Sequence, residues 1–244
     1  MAKIGVSTGM VWFYGNTMND KIILLRNTFK DSLPCLEIAL PGDEILKDFV
    51  DNVTPDNMDW IRNIPFVSLH PVRIKDYMRL GYIFDKLQAK HITIHSDDDD
   101  MINRQAEMFD SKNISIENVN GGIDTLIFMR TLLSYKLINA KATIDIAHVA
   151  LWSIEQALLL FCLGFYYGTN NKISSYHLSM KFHSPLLTDK AWGDQRIIKK
   201  HLTNQSQPMF IESNIAQLLD NKNDEINISS IINQEVTEWT NLLQ

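Results

Sequence analysis

Eight short apolar runs alternate with longer amphipathic stretches along this 244-residue chain, and this alternation restricts its fold more than any other feature. The runs are rich in Ile, Val and Phe, as expected of parallel strands that are buried on both faces. They cover residues 3–7, 35–40, 66–69, 92–95, 114–117, 143–146, 173–177 and 209–212. The stretches between them predict helices over residues 20–30, 55–63, 74–89, 101–109, 123–134, 151–165, 194–202 and 228–243.

Strand–helix alternation of this kind predicts a parallel sheet with right-handed crossovers. Eight such units in 244 residues close naturally into a (β/α)8 TIM barrel, for which single domains of about 250 residues are usual. A doubly wound open sheet is the competing fold, and it usually carries a Gly-rich phosphate loop after its first strand. Here that position reads Ser7-Thr8-Gly9-Met10-Val11, which lacks GxGxxG. We therefore predict an α/β fold with one TIM-barrel domain over residues 1–244.

Six consecutive predicted strands, the third to the eighth, each end in a histidine, an aspartate or a glutamate. These residues are His70, His95, Glu117, Asp145, His177 and Glu212. In a barrel, the C-terminal ends of the strands meet at one mouth, where active sites form. Carboxylates and imidazoles crowded together there repel or desolvate one another unless a positive charge neutralises them. A divalent metal would do so, and this ligand set suits Mn²⁺, Zn²⁺, Co²⁺ or Mg²⁺.

Each of these residues also has an ordinary structural interpretation. A single histidine at a strand end is more often structural than a ligand, and a single acid is often a helix cap or part of a loop ion pair. Six of them at successive strand ends favour a shared metal site over coincidence. The string Asp145-Ile-Ala-His148 adds little by itself, because Asp-x-x-His is short and common. Nothing in the sequence calls for an organic cofactor.

Charge and hydropathy bear on the partners and the compartment. The net charge is −6, which disfavours nucleic acid as a partner because phosphate-binding surfaces usually carry a basic excess. The apolar stretch 149–168 is interrupted by polar residues and predicts a packed helix, so we expect no membrane span. No leader precedes the first strand, so we expect no signal peptide and a cytoplasmic location. Cys35 and Cys162 lie in apolar runs and are expected to be free, buried thiols.

Several pieces of the chain, taken in order, resemble the xylose isomerase-like TIM-barrel superfamily. That superfamily includes sugar isomerases and epimerases, inosose dehydratases and the endonuclease IV group. The matching pieces span nearly the whole chain and are Lys3-Ile-Gly-Val-Ser7, Leu36-Glu37-Ile38, Ile116-Glu117-Asn118, Asp145-Ile-Ala-His148, His177-Leu178 and Ile211-Glu212. Each piece is weak alone, but their order and spacing are fairly specific. Because relatives commonly pair through barrel helices, the resemblance also implies a homodimer.

By this resemblance, Glu117, Asp145, His177 and Glu212 match the four metal ligands of the epimerase-like members. In those members the two glutamates also flank the substrate carbon and move its proton, through an enediolate that the metal stabilises. His148 would hydrogen-bond a substrate oxygen. The first hypothesis is therefore a metal-dependent isomerase or epimerase of a small sugar or polyol-like substrate, with Glu117, Glu212 and His148 as its catalytic residues.

The nuclease-like members use a three-zinc cluster, which gives a second hypothesis: a zinc-dependent phosphodiesterase of the abasic-site endonuclease type. His70 and His95 match the two histidines that join the bridging glutamate. The third position needs Asp-x-His beside His148, and here the stretch reads Lys181-Phe182-His183, so that His183 is kept and the aspartate is lost. That lysine, the acidic charge and the lack of long insertions favour the isomerase.

Two further interpretations stay open. The first is a barrel that binds a metal or a sugar-like ligand without converting it. The second concerns the aromatic residues near the predicted mouth, which either wall a substrate pocket or simply pack on the barrel. These aromatics are Trp12, Phe13, Tyr14 and Trp192.

Overall fold

Eight parallel strands close into a barrel in chain order, with β8 paired back onto β1. This computed structural model describes residues 3–96, 99–109, 113–119, 139–149, 173–180, 183–188, 198–199, 202–203 and 205–244. The strands are β1 Lys3–Ser7, β2 Cys35–Pro41, β3 Phe66–Val72, β4 His91–His95, β5 Ile114–Glu117, β6 Lys141–Asp145, β7 Ile173–Leu178 and β8 Pro208–Ile211. The predicted (β/α)8 barrel is therefore confirmed, and every predicted strand overlaps an observed one.

Helices lie between the strands on the outside of the barrel. Those within the described ranges are α1 Met18–Phe29, α2 Asp43–Asn52, α3 Pro55–Asn63, α4 Tyr77–Leu87, α5 Asp99–Met108, α6 Ile146–Val149 and α7 Glu225–Leu243. The helices predicted over 123–134 and 151–165, and most of the one over 194–202, fall outside the described residues. No helix in the described ranges is long and apolar enough to cross a bilayer. Beyond Val149, the apolar stretch 149–168 also falls outside them.

Capping residues explain where the observed helices depart from the predicted bounds. The first helix begins at Met18 rather than at residue 20, because Thr17 and Asp20 form a reciprocal capping box. The last helix begins at Glu225 rather than at residue 228, because the Asp224 side chain accepts a hydrogen bond from the backbone N–H of Asn227. Side-chain caps of this kind supply partners for backbone N–H groups that the first turn leaves unpaired.

The sixth strand ends one residue before its predicted end and begins two residues earlier. It ends at Asp145, and Ile146 already belongs to the short helix α6. The cause is the Asp145 carboxylate, whose Oδ1 accepts hydrogen bonds from the backbone N–H of Ala147 at 2.7 Å and of His148 at 3.3 Å. A side chain that caps the next turn ends the strand there and leaves its own second oxygen for other contacts.

A layer of hydroxyl groups fills the barrel interior below the C-terminal ends of the strands. Oγ of Ser115 lies 2.6 Å from Oγ1 of Thr143, and that atom lies 2.9 Å from Oγ of Ser175. Oγ of Ser68 and Oγ1 of Thr93 form a further pair at 3.3 Å. Because each hydroxyl both donates and accepts, these buried groups satisfy one another. Each lies two residues before a predicted site residue on the same strand, and so faces the same side of the sheet.

The first two strands approach each other too closely for any side chain at Gly5. A Cβ atom at this position would lie 1.9 Å from the carbonyl oxygen of Cys35. Cys35 is buried and free, as predicted, and its thiol donates to the carbonyl oxygen of Lys3 at 3.2 Å. Burial raises the pKa of this thiol to about 12, so that it stays protonated. Cys162 lies outside the described residues.

The C-terminal helix fixes the segments that follow β7 and β8. Oε1 of the fully buried Glu235 accepts hydrogen bonds from Leu186 N, Ser213 Oγ and Trp239 Nε1 at 2.7, 2.8 and 3.0 Å. Its Oε2 accepts another from Leu187 N at 3.1 Å. A buried carboxylate is tolerated because it has these four donors, and it joins helix α7 to both segments.

Candidate metal centre

Every predicted site residue lies at the C-terminal mouth of the barrel. Six of them stand within two residues of the ends of β3 to β8, and His148 and His183 follow β6 and β7. Glu117, Asp145 and His177 are almost completely buried, whereas the side chain of Glu212 is 12% exposed and that of His95 is 28% exposed. The sequence therefore predicted which residues come together.

Glu117 occupies the centre of this arrangement. Its Oε1 lies 3.2 Å from Nδ1 of His177, while its Oε2 lies 3.1 Å from Nε2 of His70 and 3.7 Å from Nε2 of His95. The two oxygens of one carboxylate thus face two different sets of imidazoles. A carboxylate in this position can serve two metal ions at once.

The first set of possible ligands consists of Glu117, Asp145, His177 and Glu212. Their ligand atoms all lie within 4.8 Å of one another. Nδ1 of His177 is 3.1 Å from Oε2 of Glu212. A divalent ion such as zinc binds nitrogen and oxygen at about 2.0–2.2 Å, which puts neighbouring ligand atoms about 3 Å apart. The observed separations approach that arrangement.

The second set consists of His70, His95 and Glu117, whose ligand atoms also lie within 4.8 Å of one another. The two imidazole rings meet edge to face, with their centroids 5.1 Å apart. These histidines were expected to form a half-site with Glu117; the structure brings the three side chains together, and metal binding by them stays a prediction.

The third set consists of Asp145, His148 and His183, again within 4.8 Å. Nδ1 of His148 lies 2.7 Å from the carbonyl oxygen of Asn118, and Nδ1 of His183 lies 3.2 Å from Oγ of Ser179. Each ring therefore has Nε2 left for a ligand. The loss of an aspartate at Lys181 was expected to compromise this position. Lys181 lies outside the described residues, so this expectation stays a prediction; the carboxylate beside the two histidines is that of Asp145.

Asn118 holds Asp145 in place between the first and third sets. Its side-chain carbonyl accepts a hydrogen bond from Asp145 N at 2.8 Å, and its amide donates to the carbonyl oxygen of Asp145 at 3.1 Å. This two-way contact fixes the end of β6 against the residue that follows β5. The aspartate is therefore positioned by the backbone and not only by its neighbours in the site.

Several buried polar atoms at the mouth have no hydrogen-bond partner among the described residues. They include Nε2 of His70, Oε2 of Glu117 and Oδ2 of Asp145. Although Nε2 of His70 lies 3.1 Å from Oε2 of Glu117, the two do not form a hydrogen bond of acceptable geometry. Leaving a buried polar atom unpaired costs about 1–3 kcal/mol. Nitrogen and carboxylate oxygen atoms left over in this way fit a divalent metal ion.

The charges of the site are balanced by proton placement. Burial alone would raise the pKa of Glu117 and of Glu212, but the neighbouring His177 and His70 hold both pKa values well below their usual range. Conversely, burial alone would lower the pKa of the two histidines, but the surrounding glutamates raise their pKa values well above 6.5. Burial raises the pKa of Asp145. Protonated imidazoles therefore supply the positive charge that metal ions would otherwise bring.

A cavity of about 490 Å³ opens at the same mouth. It is lined by His70, His95, Glu117, His148, His183 and Glu212, together with apolar residues and Trp12. Of the predicted aromatic wall, Trp12 thus lines the cavity, whereas Phe13 and Tyr14 pack against the core and Trp192 lies outside the described residues. The volume is in the range of small-molecule sites. Among the described residues, no lysine or arginine lines it.

Sequence reasoning did not select Glu37 as a site residue. This glutamate lies within β2, is completely buried, and places Oε2 3.1 Å from Nε2 of His177. The sequence did contain a signal for this residue, because Glu37 lies inside an apolar predicted strand. A glutamate is almost never fully buried unless it is paired, so a paired role could have been expected.

No family model matches the chain, and no curated protein matches it either. Two solved structures resemble it in fold. One is a dihydropteroate synthase in complex with pteroic acid from Coxiella burnetii, with 11% identity, 95% of this chain and 92% of that chain covered, and a TM-score of 0.47. The other is orotidine 5'-monophosphate decarboxylase from Sulfolobus solfataricus, with 11% identity, 97% and 100% covered, and a TM-score of 0.44. The xylose isomerase-like superfamily thus remains a resemblance.

Proposed function

We propose that this chain is a divalent-metal-dependent hydrolase of phosphoester bonds whose centre has more than one metal position. The observation that supports this proposal is the overlap of three ligand sets, which share Glu117 and Asp145. A sugar isomerase of the type considered above needs only the first set. It gives no metal-binding task to the histidines of the other two sets, which are His70, His95, His148 and His183.

Each of the three ligand sets would hold one metal ion. Two positions would share Glu117, through its two oxygens, and two would share Asp145. When bound, divalent ions would neutralise the phosphoryl group and polarise its bonds to oxygen.

Hydrolysis requires a water oxygen to bond to phosphorus while the bond from phosphorus to the leaving oxygen breaks. Glu212 has the most exposed carboxylate of the first ligand set and lines the cavity, so it is the group best placed to accept the proton of the attacking water. His148 and His183 line the same cavity with Nε2 left over. From there they can contact the phosphoryl or leaving oxygen.

The cavity and the charge balance indicate the substrate class. A volume of about 490 Å³ accommodates a small organic phosphoester, with Trp12 available to contact its apolar part. The net charge of −6 and the lack of lysine and arginine in the described lining do not favour a long nucleic acid. We therefore place small phosphodiesters before duplex DNA as substrates.

A second candidate is the metal-dependent isomerase or epimerase. It is favoured by one observation: Glu117 and Glu212 both line the cavity and belong to one ligand set. In this case the two glutamates would take and return a proton on the substrate carbon, and His148 would hydrogen-bond a substrate oxygen. This candidate needs one metal ion and does not depend on His95.

Metal content and two assays separate the candidates. Protein purified without chelator is analysed for bound Zn²⁺, Mn²⁺ and Co²⁺. It is then tested for hydrolysis of bis(p-nitrophenyl) phosphate and of an abasic-site duplex, and for exchange of substrate protons with D2O on a panel of sugars. At least two ions per chain, with hydrolysis that His95→Ala abolishes, support the hydrolase. One ion, with proton exchange that His95→Ala leaves intact, supports the isomerase. If the protein binds no ion and its melting temperature does not rise when metal is added, both candidate functions are contradicted.

A further inference from the structure

Glu37 contacts both central histidines on the side away from Glu117. Its Oε2 hydrogen-bonds Nε2 of His177 at 3.1 Å, whereas its Oε1 lies 3.5 Å from Nδ1 of His70 without hydrogen-bond geometry and has no other hydrogen-bond partner among the described residues. In each ring the other nitrogen faces Glu117, at 3.2 Å for Nδ1 of His177 and 3.1 Å for Nε2 of His70. One carboxylate of β2 thus spans the two imidazoles that belong to different ligand sets.

The chemistry of the two groups decides what this arrangement does. A neutral imidazole has one N–H donor and one lone pair, whereas an ionised carboxylate only accepts hydrogen bonds. If each ring directs its N–H to Glu37, the lone pairs lie on Nδ1 of His177 and on Nε2 of His70. These are the two atoms that face Glu117, where the first and second ligand sets meet.

We propose that Glu37 is a positioning residue that fixes the tautomer and the orientation of both His70 and His177, and so prepares two metal positions at once. This role rests on the metal centre of the proposed function. Ligand histidines commonly donate their second N–H to a carboxylate, and loss of that partner typically costs 10- to 100-fold in metal affinity. Here a single carboxylate serves two ligands, so that one substitution affects both positions.

A competing role for Glu37 is that of a ligand. Together with His70, His177 and Glu212 it forms a fourth set whose ligand atoms lie within 4.8 Å. A metal ion beside Glu37 would take the lone pairs of the histidine nitrogens that face Glu37, and the nitrogens that face Glu117 would then carry the protons and could not bind a metal. The first ligand set would then lose His177 as a ligand, and the second would lose His70. Asp145 and His95 would be left without these histidines as fellow ligands. In addition, Glu37 is completely buried and does not line the cavity.

Zinc titration of the whole chain against a chromophoric chelator tests the role. Glu37→Gln keeps the volume but weakens both contacts, because the neutral amide oxygen is a poorer acceptor for one ring and the amide N–H faces the other. We expect the variant to bind the same number of zinc ions as the wild type, with affinity lowered about 10- to 100-fold at both the His70 and the His177 positions. Glu44→Gln, at an exposed position of α2, is the matched control, because it makes the same substitution away from the two histidines. It should leave both affinities unchanged.

Nitrogen NMR of the zinc-loaded wild type, with labelled histidine, gives a second readout that does not depend on the folding of a variant. We expect the remaining proton on Nε2 of His177 and on Nδ1 of His70; the opposite tautomer in either ring overturns the role.

The titration has clear contrary outcomes. Loss of a whole zinc equivalent in Glu37→Gln would make Glu37 a ligand and overturn the positioning role. So would an unchanged affinity at either position, or an equal loss in Glu44→Gln. Wild-type protein that binds no zinc would overturn the proposed function together with this role. If the wild type binds zinc and Glu37→Gln binds it with the same affinity, only the positioning role is overturned.

Discussion

Nε2 of His177 lies 3.1 Å from Oε2 of Glu37, although β7 and β2 are three strands apart around the barrel. Both side chains are completely buried. Polar contacts of this kind survive burial only when both partners are satisfied, and removing one partner leaves the other uncompensated. The contact therefore joins two sides of the mouth and links the candidate metal centre to the closure of the barrel.

Glu117→Gln should disable two ligand sets at once. The substitution removes the negative charge that faces His177 on one side and His70 and His95 on the other. We expect metal affinity to fall by at least about 100-fold, since even loss of an outer partner costs 10- to 100-fold, and hydrolysis to be lost with it. Elemental analysis after dialysis measures the effect. Glu44→Gln, at an exposed position of α2, is the control; equal metal content in both variants would contradict the central role of Glu117.

Metal-free protein should lose stability as the pH rises above 6.5. The glutamates raise the pKa of His70 and of His177 well above that value, so the protonated rings stabilise the fold fully below pH 6.5. This contribution is lost as the pH rises through the raised pKa values. The loss for each ring is about 1.4 kcal/mol per pH unit over the range in which the ring is protonated in the folded chain but not in the unfolded chain. His91, whose pKa burial lowers to about 4, acts in the opposite direction at acidic pH.

Urea unfolding in the presence of a chelator, at pH 6.5 and at pH 9, checks this dependence. His177→Gln should flatten it, because the variant lacks one of the two titrating rings. A metal-free wild type that is equally stable at both pH values would show that these rings are not protonated in the folded chain.

Zinc binding at pH 7 should release two or more protons, because His70 and His177, and with them His148, whose pKa the neighbouring Asp145 raises against burial, must give up protons before a nitrogen lone pair can bind the metal. Calorimetric titration in two buffers of different ionisation enthalpy measures this number. The observed binding enthalpy should differ between the buffers in proportion to the protons released. An enthalpy that does not depend on the buffer would contradict the protonation of the site.

Gly5→Ala and Gly81→Ala should differ strongly in their effect on stability. The added Cβ at Gly5 would lie 1.9 Å from the carbonyl oxygen of Cys35, so β1 and β2 would have to move apart. At Gly81, within helix α4, the nearest atom is the flexible end of Met108 at 3.4 Å. We expect a loss of about 3 kcal/mol or more for Gly5→Ala and a gain of about 0.5–1 kcal/mol for Gly81→Ala. Denaturant unfolding of both variants measures the difference, and similar values would contradict the close approach.

Glu235→Gln should destabilise the fold and weaken the third ligand set more than the second. The carboxylate accepts four hydrogen bonds from the segments after β7 and β8 and from Trp239. One of these segments carries His183, whose carbonyl oxygen accepts a hydrogen bond from Asn214 N at 2.6 Å. We expect a loss of about 1–3 kcal/mol in urea unfolding. Zinc titration should show weaker binding at the His148–His183 position and unchanged binding at the His70–His95 position.

The strand order and most of the site follow from local patterns in the sequence. The bounds of β1, β5 and α3 were predicted without error, because an apolar run ends at a polar residue in the first two cases and Pro55 starts the helix in the third. The residues that end β3 to β8 were predicted to converge, because barrel geometry brings strand ends together whatever the sequence separation.

The rest depends on contacts that no local pattern contains. Glu37 lies 140 residues before His177 in the sequence, and only the closure of the barrel brings the two side chains together. It is also followed by four more strand residues, so it does not stand at the end of β2 as the predicted residues do at theirs.

The hydroxyl layer beneath the mouth has a consequence for the exchange of protons and metal ions. In the pairs Ser115–Thr143 and Thr143–Ser175 either oxygen can be the donor. Rotation of a hydroxyl hydrogen reverses the local dipole without moving a heavy atom. When the charge at the candidate metal centre changes, these hydroxyl groups can therefore adjust their dipoles by rotation alone. For this reason we expect the metal-free and the metal-bound barrel to have the same backbone conformation, because rotation of the hydroxyl hydrogens compensates for the change in charge.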